Sequence, residues 1–275
     1  MRDLGSPIAV GRTGELFAWG DERVMKLYRE GCSRDYVRRE ARVSRIANEL
    51  GLPAPAVYKA DTEDGLWELY GRLGILFDWV EGPTMLRDLL RRPWMLVAHS
   101  KALAALHAQV HSKPGEGLPD GRARIETVIA RMTESLTESQ RSAALAELAS
   151  LPEGRSVCHG DFHPDNIILQ EGGPVIVDWG PASCGHPLAD VVWTYLLYTI
   201  SDGPMGASLW MRMLLRTVRR ISLRVYLRTY FRLTKTSWPE LEAWLGVVAI
   251  LRLGDGISEE RDALLRLIKD RFGRA

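Results

Sequence analysis

Along the first 80 positions, apolar residues come in short runs or alternate with polar ones, broken by Gly and Asp/Glu turns: SPIAV, then GRTG, ELFAW, GDE and RVMKLY. A period of two bounded by turn residues predicts strands, so the chain opens as an antiparallel hairpin series. A helical period follows over residues 33–50, with Ser33 placed to cap it, Gly51 to stop it, and Pro53 and Pro55 beyond. Two further strands are expected over 56–60 and 72–80, joined by a turn at 61–65. The order is three strands, a helix, then two strands.

Past Glu81-Gly82-Pro83 the spacing becomes helical. Thr84 stands as a cap for MLRDLLRR, a longer helix is expected over 94–111, and a helix pair over 122–151, parted near Thr137 by a capping-type turn in ESLTESQ. A β hairpin interrupts, its arms at 166–169 and 175–177 flanking the turn EGGP so that its two ends come together. From Leu188 the chain reads as helical to its end, with a Pro/Gly-rich loop over 201–207. The pattern shows no repeat and no low-complexity tract.

Composition narrows the classes. With 275 residues, 46% of them apolar, the chain can bury a substantial core. Its 36 basic and 35 acidic residues leave a formal charge of +1, so no global field draws nucleic acid or an anionic membrane. The most apolar stretches, VVWTYLLYTI and AWLGVVAIL, fall short of the roughly 20 residues a membrane-spanning helix needs, and MRDLGSPIAVG has no signal-peptide run. Cys32, Cys158 and Cys184 form no CxxC pair. An odd count without such pairs suits reduced thiols and a cytoplasmic location.

The polar run His159-Gly-Asp-Phe-His-Pro-Asp-Asn166 sits between apolar segments. Asp161 and Asn166 have the D-x-x-x-x-N spacing of a kinase catalytic loop, in which the Asp accepts the substrate hydroxyl proton and the Asn holds magnesium. Such a loop lets both side chains face one cleft. Twelve residues on, the second hairpin arm ends in Asp178-Trp179-Gly180, a further carboxylate able to bridge magnesium to nucleotide phosphates.

On these motifs, HGDFHPDN and VIVDWG in that order, the chain resembles the aminoglycoside phosphotransferase and choline kinase-like enzymes, from the N-terminal hairpin to the helix after Trp238. The resemblance implies a two-lobed, protein-kinase-like α+β fold, with a β-rich nucleotide-binding lobe over 1–80, a helical lobe over 81–275, and nucleotide between them. It implies transfer of the γ-phosphate of ATP or GTP, with magnesium, to a hydroxyl of a small molecule. Lys26 on the third strand becomes the phosphate-binding lysine, and Glu40 its helix partner, with Glu49 the alternative. Gly11 and Gly14 would bracket a turn over the phosphates, and the main chain of the connector Phe77-Asp78-Trp79-Val80, at Asp78 and Val80, would meet the adenine. Asp190 would brace the catalytic loop, or else serve as a helix N-terminal charge.

Other readings stand beside these. The H-x-D-x-H run of His159, Asp161 and His163 admits a zinc hydrolase, although His99, His107, His111 and His186 suggest no second cluster. Asp165 is the other candidate base. His107, and the stripe of Trp193, Tyr195 and Tyr198, read as packing. A nucleotide-binding pseudokinase is the alternative to an enzyme. Arginines at 212, 216, 220, 224, 228 and 232 recur every fourth residue and read as a solvated helix face. Glu240, Glu242, Asp255, Glu259, Glu260 and Asp262 oppose Arg252 and Arg261 in the next stretch, so local charge leaves the acceptor unnamed and the oligomeric state open.

Overall fold

The computed structural model describes residues 4–11, 13–200 and 208–273; the loop expected over 201–207 and Arg12 of the GRTG turn lie outside them. In chain order come β1 (Ala9–Val10), β2 (Gly14–Ala18), β3 (Arg23–Tyr28), α1 (Arg34–Glu49), β4 (Val57–Tyr58), β5 (Trp67–Leu69), β6 (Arg72–Asp78) and α2 (Met85–Arg91). A 3-10 turn at Pro93–Met95 leads to α3 (Leu96–His111), then α4 (Gly121–Arg131), α5 (Glu138–Ser150) and β7 (Ser156–Cys158). A second 3-10 turn, Pro164–Asn166, precedes β8 (Ile167–Gln170), β9 (Gly173–Ile176) and β10 (Ser183–Gly185). The chain closes with α6 (Pro187–Ile200), α7 (Leu209–Thr234), α8 (Trp238–Glu242), α9 (Leu245–Leu253) and α10 (Ser258–Phe272). Among the described residues no helix is long and apolar enough to cross a membrane.

The caps explain why the helices begin where they do. Ser33 Oγ accepts the Tyr36 N–H at the head of α1, Asp120 accepts two N–H groups of α4, and Thr137 with Gln140 forms a capping box on α5. Thr84 Oγ1 accepts the Arg87 N–H at the head of α2. The helix expected from residue 94 begins instead at Leu96, because Pro93 sets up a tight 3-10 turn first. The strand expected over 56–60 shrinks to two residues, and β5 forms between it and β6. Both lie along the same edge of β6, Val57 opposite Phe77 and Trp67 opposite Gly74.

Two compact units divide the chain: residues 1–88 with 165–181, and residues 89–164 with 182–275. This differs from a single boundary at residue 80, since the β8–β9 hairpin packs with the first unit. There Leu169 N–H bonds to Pro83 O and Ile176 N–H to Pro53 O, which ties the hairpin into that unit's backbone. The first unit carries an antiparallel six-stranded sheet in the order β1-β2-β3-β6-β4, with β5 also on β6. Gly14 is glycine because a Cβ there would meet Leu27 O at 2.5 Å. One sheet face, with Tyr28, Leu66 and Ile75, packs on Val37 and Ala41 of α1; the other holds Phe17, Met25, Leu27 and Leu76.

The second unit is helical around the short β7–β10 ladder, in which Cys158 lies opposite Ser183. All three cysteines are free thiols. Arg216, Arg220, Arg224, Arg228 and Arg232 are exposed along α7, the solvated face their spacing predicts, with the Arg212 side chain outside the described set. Glu260 and Arg252 do not belong to the surface charge: they form a buried bidentate pair, Nε to Oε2 at 2.7 Å and Nη2 to Oε1 at 2.8 Å.

Candidate active site

In the first unit, strand alternation decides where Lys26 points. Met25 and Leu27 face one side and Lys26 and Tyr28 the other, toward α1. On α1, Val37, Glu40, Ala41 and Ser44 recur at three- and four-residue spacing and are all buried, while Glu49 is exposed. Glu40 therefore meets the lysine, and Glu49 does not. Lys26 Nζ lies 2.5 Å from Glu40 Oε1 and 3.3 Å from Asp178 Oδ1. Burial by itself would lower the Lys26 ammonium, but the Glu40 and Asp178 carboxylates outweigh it and hold it above its ordinary value.

The β8–β9 hairpin brings Asp178 to this pair. Val177 N–H donates to Asn166 O at 2.9 Å, closing the open end of β8–β9, and Asp178 follows at once with φ +62°. Asp tolerates that left-handed conformation better than most side chains. Its carboxylate is 47% exposed. Trp179 is buried and donates its indole N–H to Ile176 O, and Arg39 of α1 holds Gly180 O at 3.1 Å.

In the second unit, the loop after β7 is held by one buried carboxylate. Asp190 Oδ2 accepts the His159 N–H at 2.6 Å, and Oδ1 the Gly160 N–H at 2.8 Å. His107 Nε2 and His111 Nε2 approach the same Oδ2 at 3.1 and 3.2 Å, and their Nδ1 atoms pair with the hydroxyls of Tyr226 and Tyr230 at 2.6 Å. Burial would raise the Asp190 carboxyl, but the two histidines hold it well below the usual range. Burial, with His111 beside it, pushes the His107 imidazole down against the opposing pull of Asp190. Asp190 is thus a brace rather than a simple helix-end charge. The two histidines do come together around it, which their sequence positions did not suggest, and both ring nitrogens of each have partners.

On that loop, Asp161 N–H donates to His159 Nδ1 at 3.3 Å, and the Thr194 hydroxyl donates to Phe162 O at 2.8 Å. Asp161 Oδ1 accepts the Trp193 indole N–H at 3.3 Å, and Oδ2 faces His163 Nε2 at 3.5 Å. Burial would raise the Asp161 carboxyl; the hydrogen bond and charge of His163, with smaller help from His159 and Trp193, bring it to about 2. Asp165 accepts the Thr84 hydroxyl at 2.8 Å, a structural tie. Trp193, which reads as packing from its helical spacing, is instead a partner of Asp161; the signal for it in the chain is its place one turn after Asp190 on the buried face of α6.

Gly11 N–H bonds to Gly14 O at 2.8 Å, closing the turn between β1 and β2. The Asp78 carboxylate is used within the sheet, accepting the Tyr58 hydroxyl at 2.6 Å and the Ala56 N–H at 3.0 Å. Its own N–H goes to Ala56 O, and that of Trp79 to Glu22 O. Val80 is the second residue after β6 and is half-buried.

A mixed α+β fold of this kind, with a sheet lysine paired to a helix glutamate and an H-G-D loop, is that of the protein-kinase-like phosphotransferases. The chain belongs to the phosphotransferase enzyme family (APH), whose model matches residues 5–237. Among solved structures, a thermostable mutant of aminoglycoside phosphotransferase APH(4)-Ia in its apo form aligns with a TM-score of 0.64 at 19% identity, covering 98% of this chain and 93% of that one. The same enzyme is also similar as a ternary complex with AMP-PNP and hygromycin B, at 0.64 and 17%, covering 98% and 92%. Macrolide 2'-phosphotransferase MphH from Brachybacterium faecium aligns at 0.54 and 16%, covering 94% and 89%. Curated relatives are acyl-CoA dehydrogenase family member 11 of Pongo abelii and of Homo sapiens, 27% and 26% identical over 185 residues, 59% of this chain. The match spans 23% of the length of those proteins.

Proposed function

We propose that this chain is a small-molecule kinase that transfers the γ-phosphoryl group of ATP or GTP to a hydroxyl of a small acceptor. The observation that carries the reading is the contact of Lys26 with both Glu40 and Asp178, in a member of a phosphotransferase family. Asn166 and Asp178 offer the hard oxygen donors that magnesium takes, and the half-exposed Asp178 carboxylate is open to a ligand. Bound there, magnesium would neutralise charge on the phosphates.

In this reading Lys26, kept protonated by Glu40, positions the phosphate oxygens. Asp161 accepts the hydrogen bond of the acceptor hydroxyl. The acceptor oxygen bonds to the γ-phosphorus as the bond to the bridging oxygen breaks, the nucleoside diphosphate leaves, and the proton passes to Asp161 and then to water. A carboxyl held at about 2 is a weak base, so Asp161 contributes chiefly orientation and charge, as this reaction class requires. The Gly11–Gly14 turn would cover the phosphates. Because the Asp78 side chain and N–H are used in the sheet, the adenine contacts are assigned to its carbonyl and to the Val80 main chain.

For the acceptor we assign a cavity of about 440 Å³ inside the second unit, lined by Gly160 and Trp193 among others. Glu116, Asp120 and Glu153 there stand with the already partnered Asp190 against Arg122, Arg124 and Arg155, a near balance that does not select a polycation. A cytoplasmic location fits the three free thiols.

The test is a coupled nucleotide-consumption screen of the purified chain across aminoglycosides, macrolides, amino alcohols and sugars, with ATP and with GTP. Acceptor-dependent consumption is expected, lowered about 10²-fold or more by Asp161→Asn without loss of nucleotide binding. Nucleotide binding with no acceptor-dependent consumption would favour the pseudokinase instead.

A further inference from the structure

We propose that Trp193 is a positioning residue for Asp161: its indole N–H, seated by the buried Arg252–Glu260 pair, holds one carboxylate oxygen and so presents the carboxylate in a single orientation. The inference rests on the reading of Asp161 as the group that orients the acceptor hydroxyl.

Three contacts in the second unit form the chain of support. Trp193 Nε1 reaches Asp161 Oδ1 at 3.3 Å, while His163 Nε2 faces the other oxygen at 3.5 Å, so both oxygens are flanked and rotation of the carboxylate is restrained. The Arg252 guanidinium lies over the Trp193 ring, 4.8 Å from its centroid. Glu260 fixes that guanidinium plane through two short hydrogen bonds, and Trp193, Arg252 and Glu260 are all buried.

The chemistry of indole suits the task. It has one N–H donor and no acceptor, so it can hold the carboxylate but cannot take the transferred proton. Two other tryptophans spend the same group on backbone: Trp179 donates to Ile176 O and Trp67 to Tyr58 O. Trp193 instead donates to the side chain that the catalytic loop presents. Its position on α6, one turn after the Asp190 brace, means that one helix both fixes the loop backbone and aims its carboxylate.

The experiment uses the full chain with MgATP or MgGTP and the acceptor returned by the screen, or water where none is returned. Trp193→Phe is compared with a chain carrying 3-benzothienylalanine at that position, which keeps the shape of indole but replaces N–H by sulfur. Both should lower kcat about tenfold, leave the nucleotide KM within twofold, and in the isosteric chain leave the melting temperature unchanged. Added to Asp161→Asn, Trp193→Phe should cost no further kcat, because it acts through the carboxylate already lost. Wild-type kcat in the isosteric chain, or a full additional loss in the double variant, overturns the proposal while leaving the kinase reading intact. Wild-type turnover in Asp161→Asn overturns both.

Discussion

A Cβ on Gly180 would stand 2.9 Å from Glu40 Oε2 and 3.1 Å from its Cδ. The glycine of the Asp178-Trp179-Gly180 run is therefore needed so that the helix carboxylate can reach Lys26 beside Asp178. Because Glu40 is buried, it has little room to retreat. Gly180→Ala is expected to displace it, weakening nucleotide binding several-fold and costing about 1–3 kcal/mol of stability. Isothermal titration with nucleotide and urea unfolding measure the two effects; unchanged values for both would mean that Glu40 yields freely.

Asp190→Asn removes the charge that four donors share, and turns an amide N–H₂ toward groups that already donate. A loss of about 3 kcal/mol or more is expected, with the loop of His159 and Gly160 released. Denaturant unfolding and hydrogen exchange of those two amides would show it. A variant as stable as the parent would reject the brace.

Arg252→Met leaves Glu260 buried without its partner and should cost about 3–5 kcal/mol. Replacing both residues by Met should restore most of that loss, since two apolar side chains carry no desolvation penalty. Equal destabilisation of the single and double variants would contradict this account.

The pH dependence of Asp161 follows from its sign. Its folded value of about 2 lies below the ordinary value of about 3.9, so its contribution to stability is complete above about 3.9 and is lost as pH falls through about 2. The acid limb of kcat should therefore not originate from Asp161 between pH 7 and about 4. His163→Ala removes the strongest influence lowering this carboxyl and leaves burial to raise it. A limb belonging to Asp161 should then enter a pH–rate series, in the ordinary carboxylate range or above. A pH–rate profile identical to the parent's would separate His163 from Asp161.

Much of this was written locally in the chain. The strand and helix periods and the Ser33, Thr84 and Thr137 caps depend on residues within one or two turns of one another, and Asp161, Asn166 and Asp178 fall within one short stretch of chain, so the sequence by itself determined most of the element order, the candidate site residues and the family they resemble. The tertiary structure decided what depends on distant partners. Lys26 meets Asp178 across 152 positions, and Trp193 meets Asp161 across 32. The β7–β10 ladder joins three-residue strands too short to show a period. The gathering of His107, His111, Tyr226 and Tyr230 at Asp190, and the withdrawal of Glu260 from the acidic surface by Arg252, follow from burial, because a buried polar group must find its partner wherever the fold places one.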